Sequence, residues 1–558
     1  MSYSYYKELL LGSFVPIILV IFAIFTTILF VEYKAVQSAD RATVIEIQEI
    51  QFIEGEKEDE PTVEAFTSAA TGTDPLFIEA SDMIVEKRWA AAEKLYLKRI
   101  KEKPSSSVYN DLGILYDKKG DYNNAIKTFS NALVERPVYA YAYFNRALTY
   151  LKLNEPAKAI EDYQTFIKKM PNNYEGHFNL GLVLLRNDYH GRAVLKFKKA
   201  ADLSASAKKV RALYYLGLAL RDSGTANRSE ALLAFTETIR LKPDHIKARI
   251  AIAMMERRTK KGKAKTLEAF EKIFKLNPNY TLSYFHYGRF HSSVGDIDNA
   301  IMAYKTAIKL NPDYIKAHYN LGLIYLGRKE RDKARNHFNS IVSQNNSHSE
   351  SHFNLGRIAF MEGSFQAAIK HYRTAIKERT TSYPEAYINI GLAYGAQNKF
   401  NNAIKNYRTA LSSRANYPEA WYNLGLIYIK QKKMELAYNA FKSALKDNPD
   451  YEQAWFNLGL VNAEQGAMDR AIFSYRKALR IRPDYPYARL NLGVLLAKSG
   501  KPTKAVKEYQ KLLDKDDTYA TAWLNLGFAF MDINNFKDAA KAFKKVIELE
   551  PDSTKAML

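Results

Sequence analysis

The chain lacks cysteine throughout its 558 residues, which excludes structural disulfides, cysteine-ligated metal sites and cysteine nucleophiles. It is also short of acidic residues, with 60 Asp and Glu against 82 Lys and Arg and a net charge of +22. Residues 1–72 nevertheless contain 11 Asp and Glu but only 4 Lys and Arg, so the rest of the chain carries a net charge of +29. Such a charge attracts anionic partners, or it belongs to a lysine-rich solvated surface. No nucleic-acid recognition motif accompanies it, so nucleic acid is not the expected partner.

A long uncharged run lies near the amino terminus. The 23 residues between Glu8 and Glu32 carry no charge, and about 20 apolar residues span a bilayer as a helix. A cleaved signal peptide has a shorter apolar region, of roughly 7–15 residues, and ends at a small-residue cleavage site that this run lacks. The sequence therefore predicts a leader at 1–8 and a transmembrane helix at 9–31. We expect the remainder of the chain to lie on the non-cytoplasmic side of the membrane, which would be the inner or plasma membrane in a bacterium.

The next segment has the composition of a spacer. It contains the acidic run EGEKEDEP (54–61) and is followed by the small, polar stretch TSAATGTDP (67–75). Segments of this kind are usually solvated tethers. The sequence predicts that residues 32–72 join the membrane helix to the rest of the chain.

The remainder is built from one repeated unit. The hexapeptide NLGLIY occurs at 320–325 and 423–428, and close variants recur at spacings near 34 residues. Counting outward gives about 14 units over 73–553, with a short tail at 554–558. When each unit is numbered from 1 to 34, position 8 is glycine in eleven units and position 20 is alanine in thirteen. Position 24 is Phe or Tyr in nearly every unit, and position 32 is often proline.

This pattern predicts a pair of helices in each unit. Positions 4, 7, 8 and 11 share one face of a first helix, and positions 20, 24 and 27 share one face of a second. Glycine inside a helix costs about 1 kcal/mol relative to alanine. Its recurrence at position 8 therefore indicates that the two antiparallel helices approach closely there, with the position-20 alanine on the other side. The proline at position 32 ends the second helix.

The period and the Trp–Leu-Gly–Tyr–Ala–Phe–Ala–Pro spacing resemble the tetratricopeptide repeat (TPR) family. The resemblance implies an all-α fold, a right-handed superhelical solenoid of antiparallel helix pairs, here preceded by the one predicted transmembrane helix. Arrays of this family usually bind proteins or peptides in a concave groove and rarely catalyse reactions. We therefore expect a protein that is not an enzyme and that needs no cofactor. The weakest unit is 247–280, where Met254 replaces the glycine and Thr266 the alanine.

Asparagine at position 6 is the recurrent polar residue that helix packing does not require. Positions 2, 6, 9 and 13 point away from positions 4, 7, 8 and 11, and in the TPR family that side lines the concave surface. A column of amides offers donors and acceptors to the main chain of an extended peptide, and position 9 adds an apolar column beside it. The predicted groove residues are Asn145, Asn179, Asn320, Asn354, Asn389, Asn423, Asn457, Asn491 and Asn525, with Leu323, Leu392, Leu426, Leu460, Val494 and Phe528. Alternatively, the asparagines tie neighbouring helices together or are merely solvated.

The expected function is that of a membrane-anchored scaffold for a protein or peptide partner, within an envelope-associated complex. A similar asparagine ladder marks the TPR arm of O-linked N-acetylglucosamine transferases. One alternative is therefore a substrate-recognition subunit for a separate transferase or cell-wall enzyme. Another is a basic platform for polyanionic envelope polymers or nucleic acid.

Two smaller features complete the sequence-based predictions. His348 and His352 have a spacing that suits zinc on a helix. However, His352 occupies position 4, as His177 and His318 do, so we expect packed histidines and no metal site. The last unit ends near 553 without a capping helix, which predicts an exposed apolar edge that a second copy or a partner covers.

Overall fold

The computed structural model describes residues 79–80, 83–84, 86–257, 260–379 and 381–550, and the regular structure within them is entirely helical. The chain divides into two compact units, Met1–Leu310 and Asn311–Leu558. The predicted leader, membrane helix, spacer and tail lie outside the described residues. Among the helices that are described, none is both long and apolar enough to cross a membrane.

The first unit consists of consecutive helices joined by short turns. Its helices are α1 (Trp89–Glu102), α2 (Ser106–Lys119), α3 (Tyr122–Glu135), α4 (Ala140–Lys152), α5 (Pro156–Lys169), α6 (Tyr174–Arg186), α7 (His190–Asp202), α8 (Ser206–Asp222), a 3-10 turn (Thr225–Asn227), α9 (Arg228–Leu241), α10 (Ile246–Glu256), α11 (Lys260–Leu276), α12 (Thr281–Ser293) and α13 (Ile297–Leu310). From α2 onward the helices pack in pairs, α2 with α3, α4 with α5, and so on.

The second unit continues the same pattern. Its helices are α14 (Ile315–Gly327), α15 (Arg331–Gln344), α16 (Ser349–Met361), α17 (Phe365–Lys377), α18 (Pro384–Ala396), α19 (Phe400–Ser413), α20 (Pro418–Lys430), α21 (Met434–Asp447), α22 (Glu452–Glu464), α23 (Met468–Ile481), α24 (Pro486–Lys498), α25 (Pro502–Leu513), α26 (Ala520–Asp532) and α27 (Phe536–Leu549). Each even-numbered helix is the first helix of a repeat and each odd-numbered helix is the second. The prediction of an all-α fold built from helix pairs is confirmed.

The position-8 glycines make room for the aromatic ring at position 24. A Cβ atom on Gly425 would lie 2.6 Å from Cε1 of Phe441, and a Cβ atom on Gly493 would lie 2.4 Å from Cε1 of Tyr509. All eleven position-8 glycines face the ring of their own second helix in this way. The rings of Phe441 and Tyr509 are themselves buried. The glycine is therefore required by a side chain that lies across the first helix, and not only by the approach of two backbones.

In most repeats, position 4 supplies a hydrogen-bond donor that ties the first helix to the turn before it. The Trp455 indole donates to the carbonyl of Pro449 at 2.8 Å, and Nε2 of His318 lies 2.9 Å from the carbonyl of Pro312. The same contact, to the carbonyl six residues earlier, is made by Tyr143, His177, Tyr284, His352, Trp421 and Trp523. Trp, His and Tyr therefore interchange at this position because each combines a ring with a donor.

The repeat at 247–280 keeps the fold despite its two substitutions. Met254 is buried in a cluster with Phe270, the ring at position 24. Thr266 is also buried, and its hydroxyl lies 3.0 Å from the carbonyl of Ala253 and 2.8 Å from that of Gly262. A buried hydroxyl costs free energy unless it is hydrogen-bonded, and these carbonyls meet that requirement.

Candidate peptide-binding surface

The predicted asparagines divide into two groups by exposure. Four of them, Asn145, Asn179, Asn354 and Asn457, are buried, with 1–4% of their surface exposed. The other five, Asn320, Asn389, Asn423, Asn491 and Asn525, are half-buried. Only the second group has a partly exposed side chain, although the Nδ2 atom of Asn491 is itself buried, and all five belong to the second unit.

Three of the buried asparagines, Asn145, Asn354 and Asn457, connect first helices of neighbouring repeats. Nδ2 of Asn457 donates to the carbonyl of Gln453 at 2.9 Å and to Oη of Tyr422 at 3.3 Å. Asn354 makes the same pair of bonds, to its own helix and to Oη of Tyr319 at 3.4 Å. Tyr422 and Tyr319 each occupy position 5 of the preceding repeat. The expectation that position 6 is not needed for packing is therefore wrong for these asparagines.

Two of the half-buried asparagines, Asn389 and Asn525, bond to their own helix. Nδ2 of Asn389 donates to the carbonyl of Glu385, and Nδ2 of Asn525 donates to that of Thr521, both at 2.8 Å. Each bond uses one of the two amide hydrogens and fixes the side chain along the helix. The position-5 residue of the preceding repeat is apolar in both cases, Phe353 and Leu490. No hydroxyl group is therefore available there to draw the amide inward.

The type of residue at position 5 thus accounts for most of the difference in burial. Four of the half-buried asparagines follow repeats of the second unit with an apolar residue there: Phe353, Ile388, Phe456 and Leu490. Asn145 follows Asn110, whose Oδ1 accepts its amide hydrogen at 2.9 Å. Asn179 is the exception, since it is buried although Phe144 precedes it. The residue at position 5 is visible in the sequence, but its effect on the burial of the asparagine can be recognised only when the contacts between repeats are known.

The apolar column at position 9 is partly covered. Leu323 and Leu426 are buried, whereas Leu392, Leu460 and Val494 are half-buried. Phe528 is the most exposed at 37%, and its ring packs against Phe543 with centroids 5.3 Å apart. In the first unit the corresponding Leu182 is buried and Leu148 and Leu218 are half-buried. The second unit therefore offers a ligand both amide and apolar atoms on its first helices.

The hydroxyl groups behind the asparagines are neutral. Burial raises the pKa of Tyr319 to about 12, although the hydrogen bond from Asn354 opposes the shift. Burial likewise raises the pKa of Tyr475, which Asn491 opposes. Within the described part of the chain, no group of three or more His, Asp or Glu side chains is placed to hold a metal ion.

Comparison with known repeat families identifies the helix pairs. Family models described as tetratricopeptide repeat match residues 110–165, 145–208, 330–384 and 435–486, then 418–451 and 520–553, and 462–516. A model described as TPR repeat matches 293–327 and 393–432. The helix pairs are tetratricopeptide repeats. The TPR assignment made from the period is confirmed in both units.

One relative corrects the expectation that the chain is not an enzyme. The chain is 29% identical over 193 residues to the human protein O-mannosyl-transferase TMTC3. This similarity covers 34% of the chain and 21% of TMTC3, so the chain spans about a fifth of that relative's length. Because a relative is an enzyme, TPR repeats alone are not grounds for excluding one, and the non-enzyme prediction is contradicted.

Several solved TPR structures also resemble the array. The Cut9–Hcn1 heterotetramer of the APC/C aligns over 83% of this chain and 97% of its own, at 15% identity and a TM-score of 0.37. YrrB, described as a TPR protein with an unusual peptide-binding site, aligns over 33% of this chain and 95% of its own, at 23% identity and a TM-score of 0.31. MamA aligns over 31% of this chain and 96% of its own, at 24% identity and a TM-score of 0.29. These scores are too low to carry an argument about function.

Proposed function

We propose that the TPR array docks a partner protein by binding an extended peptide along positions 6 and 9 of its first helices in the second unit. The observation that supports this proposal is that asparagines at position 6 and apolar residues at position 9 are both partly exposed. Five asparagines are half-buried there, and Leu392, Leu460, Val494 and Phe528 present apolar surface in the same repeats or in neighbouring ones. Amides can bond the main chain of a peptide of any sequence, and apolar atoms add affinity by burial.

The test removes amides that are accessible and leaves the buried ones in place. The variant carries Asn389→Ala, Asn423→Ala and Asn525→Ala, and calorimetry measures its affinity for a partner captured by crosslinking and affinity purification. Each lost hydrogen bond is worth roughly 0.5–1.5 kcal/mol, so binding should weaken by about tenfold to a thousandfold. The control carries Asn336→Ala, Asn402→Ala and Asn439→Ala, which remove exposed amides from second helices. A folded first-helix variant with unchanged affinity would refute the proposal.

We further propose that residues 9–31 tether the array to a membrane, with the repeats on the non-cytoplasmic side. The support is the uncharged run itself, because this run lies outside the described residues. Protease added to cells whose outer barrier has been opened should digest the repeats and leave a short membrane-bound fragment. Repeats protected from protease, or a mature chain that begins near Asp40, would contradict the tether.

The relationship to TMTC3 favours a second candidate function, in which the array presents substrate proteins for glycosyl transfer. Sugar transfer to an acceptor protein would be assayed with the purified full chain, alone and with membranes from cells that lack it. Transfer by the chain alone would assign the activity to this polypeptide. Transfer that needs both components would make the array the recognition part of a transferase. Transfer by the membranes alone, at an unchanged rate, would remove this candidate.

A further inference from the structure

Two equivalent grooves lie on the outer faces of the second helices α17 and α19. The groove on α17 has a volume of about 360 Å³ and is lined by Gln366, Ile369, Lys370, Arg373, Thr374 and Lys377. The groove on α19 has a volume of about 410 Å³ and is lined at the same repeat positions by Asn401, Ile404, Lys405, Arg408, Thr409 and Ser412. Most of the similarity between the two grooves comes from the segments HYRTAIK (371–377) and NYRTALS (406–412). Two adjacent repeats thus present the same arrangement of cations and hydroxyl groups.

An arginine in each groove is held by the following repeat. Nη2 of Arg373 donates to Oη of Tyr394 at 3.0 Å, and Nη2 of Arg408 donates to Oη of Tyr428 at 3.1 Å. Both tyrosines occupy position 11 of the next first helix. A guanidinium group has five donors in a planar fork, so one bond to a hydroxyl orients the group while most of its donors stay available. A positioned guanidinium loses less conformational entropy when it binds an anion.

The cations of the two grooves lack acidic neighbours on their own helices. Neither α17 nor α19 contains Asp or Glu, and no ion pair joins Lys370, Arg373, Lys405 or Arg408 to a carboxylate within the described residues. Second helices elsewhere do pair their cations, as Arg335 does with Asp332 and Lys511 with Glu508. Lys377, which also lines the groove on α17, lies 3.5 Å from a carboxylate oxygen of Glu378. The positive charge of the other four cations is therefore not neutralised by an ion pair within the described residues.

We infer that the two grooves together form a binding site for an acidic peptide segment of a partner protein, on a surface separate from the first-helix face. Carboxylate or phosphorylated side chains of the peptide pair with the lysine and arginine of each groove, and the half-buried Ile404 contacts the neighbouring apolar atoms. Nucleic acid fits less well, because none of the lining residues is an aromatic ring on which bases could stack. Duplex binders also typically make about 6–10 phosphate contacts, whereas the two grooves hold five cations.

The test measures binding of a fluorescent peptide of about twelve glutamates to the full chain at low salt, roughly 50 mM, where charge interactions are weakly screened. The groove variant carries Lys370→Gln, Arg373→Gln, Lys405→Gln and Arg408→Gln. Charge-assisted hydrogen bonds are about twice as strong as neutral ones, so the affinity should fall by at least about tenfold. The control carries Lys442→Gln, Lys504→Gln, Lys507→Gln and Lys544→Gln, which are exposed and lie on other second helices. The control has the same net charge, so it should bind within about twofold of the parent chain.

Further probes separate the sources of negative charge. A phosphoserine peptide of the same length that binds in a groove-dependent manner supports the site, and tighter binding than the glutamate peptide assigns it to phosphorylated partners. Equal losses in the groove and control variants would overturn the inference, because binding would then follow net charge alone. Tighter groove-dependent binding of an oligothymidylate would overturn it in favour of nucleic acid. The triple asparagine variant should bind the glutamate peptide normally, so the two surfaces can fail independently.

Discussion

At the scale of single residues, Gly425 allows a sharp test of helix packing. Alanine is the better helix former by about 1 kcal/mol, so Gly425→Ala would be stabilising on propensity alone. Its Cβ would lie 2.6 Å from the buried ring of Phe441, and overpacking of this kind typically costs about 1–3 kcal/mol. We therefore expect Gly425→Ala to lower the free energy of unfolding, as measured by denaturant titration.

A second glycine provides the matched control. Gly395 also lies within a first helix, but the nearest atom to its Cβ position is Cδ1 of Ile427, at an ordinary 3.4 Å. Gly395→Ala should therefore be neutral or stabilising by up to about 1 kcal/mol. If both substitutions changed stability equally, the ring at position 24 would not be the reason for the glycine.

The asparagines should differ in their contributions to stability as they differ in burial. Asn457→Ala removes two hydrogen bonds from a buried amide and should cost roughly 1–3 kcal/mol. Asn423→Ala, at a half-buried site, should stay within about 0.5 kcal/mol of the parent chain. Thermal and denaturant melts of the two variants would compare them directly. Equal effects would mean that contact with the preceding repeat does not decide the role of position 6.

The sequence assigned these asparagines to one helical position but could not rank them by burial. A period of 34 residues places every asparagine at the same point of a helix, and helical geometry then assigns its direction within that helix. Whether Asn457 is buried depends on Tyr422, which lies 35 residues earlier and in another helix. Such a pairing requires the register between repeats, which the periodicity of one helix does not contain.

At the scale of the helix pair, His371 makes stability sensitive to pH. Nδ1 of His352 lies 3.2 Å from Nδ1 of His371, and the His318–His337 pair has the same arrangement at 3.0 Å. Nε2 of His352 donates to a carbonyl, so in the neutral pair its Nδ1 accepts and that of His371 donates. Burial, followed by the charges of His352 and Lys370, lowers the pKa of His371.

The sign of the effect follows from linkage. A histidine whose pKa is lower in the folded state binds more protons when unfolded, so stability rises with pH. The contribution is complete above the unfolded pKa of about 6.5 and is lost as the pH falls below it. We expect a lower melting temperature at about pH 5.5 than at about pH 7.5, and a smaller difference in His371→Gln. Because burial is the largest cause, added salt should leave most of the difference in place; a difference that high salt abolishes would contradict the assignment.

The helix pairs were the most predictable level of this protein. The apolar stripes, the glycine and the alanine all follow the 3.6-residue period, and first helices begin at position 1 in most repeats, as at Ser349, Pro418 and Glu452. The donor role of position 4 was missed, because Trp, His and Tyr were classified there by their rings. The basic grooves of α17 and α19 were also missed, since lysine and arginine on an exposed helix face look like ordinary solvated charge.

At the scale of the whole molecule, the sequence supports fewer conclusions about function. A repeat motif describes the repeats and nothing beyond them, so the expectation that the chain is not an enzyme did not follow from a TPR array. The similarity to TMTC3 shows how that inference fails, because TPR repeats and a transferase activity can belong to one protein family. The predicted membrane helix rests on composition alone, since residues 9–31 lie outside the described part.

The last described helix leads to the final prediction, which concerns association between chains. In α27 the position-24 ring, Phe543, is half-buried, whereas its counterparts Phe441 and Tyr509 are buried. Phe536 on the same helix is 59% exposed. Exposed apolar surface favours contact with another copy, so we expect the full chain to dimerise through α27. Sedimentation velocity over a range of concentrations would measure this, and Phe536→Lys should weaken dimerisation by more than about tenfold, because a buried charge is costly.

Met302→Lys is the matched control, since Met302 is 60% exposed on α13, and it should leave association unchanged. A chain that stays monomeric at every concentration, or equal losses in both variants, would rule out α27 as the contact.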